Sequence, residues 1–205
     1  MKEVQPIKDL QKIALIKTIL SRGEFGDRNV LLFKIGINTA YRTSDLLSLK
    51  LKDVLEIYRQ KVRVKSRLMM KEKKTEKKTE KNNSVILTKR LQKDIWDYVK
   101  KEHTKAVDEQ DLDHYLFLSR NKSAGERHLA RWQGWHIVSE AENEAGLNNL
   151  GNHSMRKTFG YHLYKNGVAL ELIQVLLNHS SPKITLRYIG IEQEDKDQAV
   201  SSLGL

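Results

Sequence analysis

The sequence predicts an α+β fold, mainly helical, with a small three-stranded antiparallel sheet near its N-terminal third. Three observations carry that expectation. Apolar residues recur at helical spacing through most of the 205 residues. The period changes to β-branched or alternating residues at 54–57, 61–69 and 84–88. No stretch rich in Pro, Gly or Ser divides the chain, so one domain over 1–205 is expected.

The elements follow in order. Pro6 suits a first helical turn, and Leu10, Ile13, Ala14, Ile16 and Leu20 form an apolar face that ends near Gly23. Asp27 can cap a second helix running to about Asn38, and Thr43 or Ser44 a short third one. The three strands come next. Helical patterning returns at 89–103, 127–145, 154–166, 169–177 and 182–188, with Gly146, Gly151 and Gly167 as punctuation and a polar tail from Glu192. A tandem EKKT within 71–81 reads as a solvated hairpin tip, a short charged helix, or a basic finger that grips nucleic acid.

Composition narrows the function. The net charge of +11 points to a partner rich in phosphate, nucleic acid before membrane surfaces or acidic proteins. With no cysteine there is no disulfide, thiolate nucleophile or zinc–thiolate site, and a reducing cytoplasm fits. The N-terminus is a charged amphipathic segment, unlike a signal peptide, and no apolar run reaches the roughly 20 residues of a membrane span. A soluble cytoplasmic protein without a membrane partner is expected.

Several chemistries lack their residues. There is no HExxH, no i,i+4 histidine pair and no GxxxxGK[ST] loop, so neither a metal nor a nucleotide cofactor is expected. Side-chain cations remain. Arg42 stands at a turn before a helix start, where backbone N–H groups and a guanidinium can meet a phosphate oxygen. His153 and Arg156 are three apart, so a helix projects both from one face. Tyr188 follows His179 by nine residues, across the Ser181-Pro182 helix start. Each feature alone fits an ordinary structural role equally well: a surface arginine, a chance HxxR, a tyrosine covering the core.

Together they carry a resemblance. TAYRTSDLLSLKLKDV resembles the T-G-x-R-x-S-E-L-x-x-L-x-x-x-D-I box of the tyrosine recombinase (phage integrase) family. HSMRKTFGYHLYKNGVALELIQVLLNHSSPKITLRYI resembles that family's H-x-L-R-H-[ST]-x-A … I-x-x-x-L-G-H-x-x-x-x-x-T-x-x-Y box. The likeness runs from about Leu10 to the C-terminus. Ala40, Tyr41, Asp45, Met155 and Asn178 depart from the pattern, none at a position that does chemistry.

The resemblance implies a site-specific DNA recombinase, of integrase, excisionase or invertase type. Tyr188 is then the nucleophile, with Arg42, His153, Arg156, His179 and a hairpin lysine completing the set. Lys74 is that lysine when counted from the strand before the repeat, and Lys78 when counted from the strand after it. Lys71, Lys73, Lys77, Lys78, Lys81, Arg131, Lys157 and Lys183 are the expected DNA contacts. Double-stranded DNA is the implied partner, bound as a homotetramer, with a free monomer left open. Arg42 comes too early for the helical N-terminal domain that many members carry, so the chain is read as the catalytic domain alone. A type IB topoisomerase-like enzyme and a non-catalytic DNA-binding module are the alternatives.

Overall fold

Asp9, rather than Pro6, starts the first helix: its carboxylate accepts the Gln11 N–H, and α1 spans Leu10–Leu20. The computed structural model describes residues 4–70, 83–119, 126–148, 151, 153–191, 195, 197 and 200–202. Helix α2 (Gly26–Asn38) buries Leu31, Leu32, Phe33 and Ile35, and takes Asp27 into its first turn instead of using it as a cap. Two short helices follow, α3 (Thr43–Leu47) and α4 (Leu51–Val54).

Among the described residues four strands, in two two-stranded antiparallel sheets, stand where one three-stranded sheet was expected. β1 (Leu55–Tyr58) pairs antiparallel with β2 (Lys61–Val64), and β3 (Arg67–Met70) with β4 (Asn83–Ile86). The run 61–69 is cut at Lys65 and Ser66, whose N–H and carbonyl groups bond to Val54 and Leu87 outside the ladders. Arg59 and Gln60, both at positive φ, make the two-residue turn whose twist suits a tight hairpin. The tandem repeat falls within 71–82, outside the described residues.

The remaining helices are α5 (Lys89–Glu102), α6 (Thr104–Asp108), α7 (Arg131–Glu144), α8 (Ser154–Lys165), α9 (Leu170–Leu176) and α10 (Pro182–Tyr188). Apolar side chains from α1, α2, α5 and α7 fill one core, and Tyr161, Ile173, Leu177, Ile189 and Ile191 form a smaller one. Helix α8 belongs to both, through Met155 and Tyr161. Its close approaches depend on glycine. Gly36 of α2 lies directly against Met155 Sδ, and a Cβ on Gly160 would fall 2.7 Å from Ile189 Cγ2.

The segment before α1 runs along α8. The Ile7 N–H donates to Thr158 Oγ1 at 2.8 Å, and His162 Nε2 donates to the Ile7 carbonyl at 3.0 Å. These bonds bring the segment around Ile7 onto the helix that carries the candidate site. Among the described residues no helix is long and apolar enough to cross a membrane.

Candidate active site

Arg42 is the residue that precedes α3, and its carbonyl accepts the N–H groups of Asp45 and Leu46. Its neighbour Tyr41 is fully buried and donates its hydroxyl to the Leu68 carbonyl at 3.0 Å. This bond ties the Arg42 turn to β3. Ala40 needs no left-handed backbone, so its methyl group is accommodated without strain. Asn178 does adopt φ +49, the conformation glycine would supply, and asparagine tolerates it better than most residues.

His153 sits at the N-cap of α8, not within it, and Arg156 follows on the first turn. Arg156 is buried, and its Nη2 donates to the Leu177 carbonyl at 2.6 Å, which pins α8 to the end of α9. His179 lies in the turn between α9 and α10, its Nδ1 3.2 Å from Thr185 Oγ1. Ser181 caps α10 by accepting the Ile184 N–H, so the helix delivers Tyr188 at its last turn.

Tyr188 is where these elements meet. Its Oη lies 3.2 Å from His153 Nδ1. The two rings are edge-on at 6.3 Å, and the His179 ring stands at 4.7 Å on the same tyrosine. Burial raises the phenol's pKa, and the charges of Arg156 and Arg42 oppose the rise. His153 keeps an exposed edge, yet the atoms packed around it hold its pKa below the ordinary imidazole value, aided by Arg156, Arg42, Lys157 and Arg131. A neutral imidazole with its proton on Nε2 leaves Nδ1 free to accept the Tyr188 O–H.

The other expected residues divide three ways. Arg131 is exposed at the start of α7, near enough to bear on His153, and Lys183 is exposed in the first turn of α10. Lys71, Lys73, Lys74, Lys77, Lys78 and Lys81 lie outside the described residues. Lys157, expected as a DNA contact, is instead buried, with Nζ 2.6 Å from the Val4 carbonyl and 5.1 Å above the Tyr188 ring. A one-dimensional count of basic residues gives no sign of which side of α8 this side chain takes.

Two residues escaped the sequence reading. Thr185 is fully buried and orients His179. Glu142 of α7 is 1% exposed and accepts the Ser154 hydroxyl at 2.7 Å, directly beneath His153. Its burial pushes the carboxyl up to about 7. Nothing in the local pattern around Glu142 distinguishes it from the exposed acids of the same helix. Among the described residues no group of three or more His, Asp or Glu is arranged to hold a metal ion.

Comparison with known proteins agrees with this geometry. The model of the phage integrase family matches residues 9–195. A probable integrase/recombinase of Bacillus subtilis, YoeC, is 37% identical over 201 residues, covering 98% of this chain and 97% of its own. The tyrosine recombinase XerA of Pyrococcus furiosus is 23% identical over 95% of this chain, which spans 60% of that protein. A crystal structure of XerA recombinase superposes with a TM-score of 0.70 at 17% identity, over 98% of this chain and 65% of that one. XerH recombinase bound to its palindromic difH substrate, after cleavage, gives 0.69 at 21% identity, over the whole of this chain and 54% of that one. A family match over nearly the full length, together with a relative of this identity and coverage, means that the chain belongs to the phage integrase family of tyrosine recombinases.

Proposed function

We propose that this chain is a site-specific recombinase that cleaves and rejoins double-stranded DNA through Tyr188. The observation that carries the reading is the 3.2 Å pairing of Tyr188 Oη with His153 Nδ1 amid the charges of Arg42 and Arg156. Tyr188 Oη attacks the scissile phosphorus while its proton passes to His153 Nδ1. The 5′ oxygen departs with a proton from Lys74 or Lys78, leaving a 3′-phosphotyrosyl bond and a 5′-hydroxyl. The 5′-hydroxyl of a second strand then attacks the same phosphorus and gives its proton to the lysine, while the departing Tyr188 oxygen recovers its proton from His153. One phosphate ester replaces another, so no ATP and no metal is needed.

Arg42 and Arg156 clamp the phosphoryl oxygens as charge builds on them, and His179, its ring held by Thr185, donates a further hydrogen bond. Arg131, Lys183 and the lysines of the basic hairpin bind the flanking phosphates, outside the reacting centre. Residues 1–205 act as one catalytic domain, and four copies assemble on two duplexes, with the polar segment after Glu192 reaching a neighbour.

The test is trapping of the covalent intermediate. Nicked duplexes of randomised sequence, from which the leaving fragment diffuses away, are incubated with the protein and resolved on a denaturing gel. The wild type forms a protein–DNA adduct and Tyr188→Phe forms none. Arg42→Ala and Arg156→Ala slow adduct formation by about 100-fold, the loss of about 3 kcal/mol expected for one charge-stabilising donor. An adduct in the Phe variant, or none in the wild type, overturns the reading. Strand exchange between two recovered sites separates a recombinase from an enzyme that only relaxes supercoils.

A further inference from the structure

Two successive cations of α8 are buried side by side, and only one of them belongs to the clamp. Arg156 is 3% exposed and Lys157 5% exposed. The family motif has histidine at the position after its arginine, and this chain has a lysine there, whose charge bears on His153. Lys157 Nζ is tethered at 2.6 Å to the Val4 carbonyl and stands 5.1 Å over the Tyr188 ring. Its backbone N–H is fixed on the His153 carbonyl at 2.8 Å, so the tether and the helix together leave the side chain little freedom.

We propose that Lys157 is a positioning residue for the nucleophile, a cation held by the N-terminal segment against the face of Tyr188, where it steadies the ring and stabilises the developing phenolate. The inference rests on Tyr188 being the nucleophile. The groups facing that phenol are Arg42 before α3, His153, Arg156 and Lys157 on α8, and His179 between α9 and α10. When DNA binds, the phosphate's negative charge offsets much of the field of Arg42 and Arg156. Among the described residues Lys157, bound to protein and facing the ring, is a cation that still acts on the phenol. Cation–π attraction is strongest at desolvated sites such as this one.

The experiment is a pH–rate profile for adduct formation on a nicked duplex whose bridging 5′ oxygen is replaced by sulfur. That leaving group needs no proton, so the alkaline limb reports ionisation of the nucleophile. Four proteins are compared: wild type, Lys157→Gln, Lys157→Met and Lys157→Arg. Glutamine keeps a donor for the Val4 carbonyl and loses the charge, methionine loses both, and arginine keeps both. The two neutral variants are expected to react about tenfold more slowly near neutrality, with the alkaline limb about one pH unit higher. Lys157→Arg is expected to return both to within about threefold of wild type. DNA affinity, read by fluorescence anisotropy, should not change.

An unmoved limb in whichever neutral variant folds, accompanied by a lower melting temperature alone, means a purely structural lysine and overturns the proposal. So does a loss of DNA affinity in step with the rate, which would make Lys157 a phosphate contact. Absence of any adduct in the wild type defeats the assignment of Tyr188 itself, and this inference with it.

Discussion

Replacing Glu142 by glutamine should make the protein more stable at alkaline pH and leave it nearly unchanged at acid pH. The carboxyl is buried between α7 and the start of α8, accepts one hydrogen bond from Ser154, and has an ordinary value of 4.5 raised to about 7 by desolvation. Its second oxygen finds no hydrogen-bond partner among the described residues. Because the folded-state pKa lies above the unfolded one, the favourable contribution is complete below about 4.5 and is lost as pH rises through about 7. The shift corresponds to about 3 kcal/mol, of which about 2.5 kcal/mol disappears between pH 5 and 8. Glutamine resembles the protonated acid in being neutral and able to accept from Ser154, and its two N–H donors differ from the acid's single O–H by a term that does not vary with pH. Subtracting the variant from the wild type therefore isolates the charge. Urea unfolding followed by circular dichroism at the two pH values should show Glu142→Gln gaining about 2.5 kcal/mol over the wild type at the higher one. In melting temperature the gain is roughly 5–10 °C. A stability gap that is the same at both pH values would refute the argument, because an acid already ionised in the fold has nothing left to lose.

Three further outcomes follow from the geometry. Gly160→Ala drives a methyl group toward Ile189 Cγ2 and Leu177 Cδ1, at 2.7 Å and 3.0 Å, so it should cost about 1–3 kcal/mol and slow adduct formation by displacing the residue next to Tyr188. Chemical denaturation and the trapping assay measure the two effects separately. Asn178→Ala should cost about 1 kcal/mol because alanine is strained at φ +49, whereas Asn178→Gly should be close to neutral, and thermal melts distinguish them. The acid limb of adduct formation should lie below the ordinary imidazole value of 6.5, since burial first and then the neighbouring cations lower the pKa of His153. Moving the acid limb above 6.5 would contradict the assigned protonation state.

How much of this was legible beforehand differs from residue to residue. Arg42, His153, Arg156, His179 and Tyr188 could be named because their order matches a family pattern; no spacing rule gathers residues drawn from the start of α3, the start of α8, the α9–α10 turn and the end of α10. The helical stretches were readable from apolar period, since buried positions such as Ile13, Ile16 and Leu20 recur on one face. The division of 61–69 into two strands was not readable, because it depends on Lys65 and Ser66 bonding to Val54 and Leu87 from outside the run. Lys157 and Glu142 show the same limit for side chains. Charge predicts exposure, and both are buried by neighbours distant in sequence, Val4 for the lysine and Ser154 for the acid.

The bonds from Ile7 to Thr158 and His162 join residues 151 and 155 positions apart. Contacts this remote form late, after the cost of closing a large loop has been met. Ile7 is synthesised long before α8, so the segment waits unpaired until that helix emerges. The nascent polypeptide therefore stays unable to cut DNA until the last helices are out, a safeguard that arises from chain topology alone.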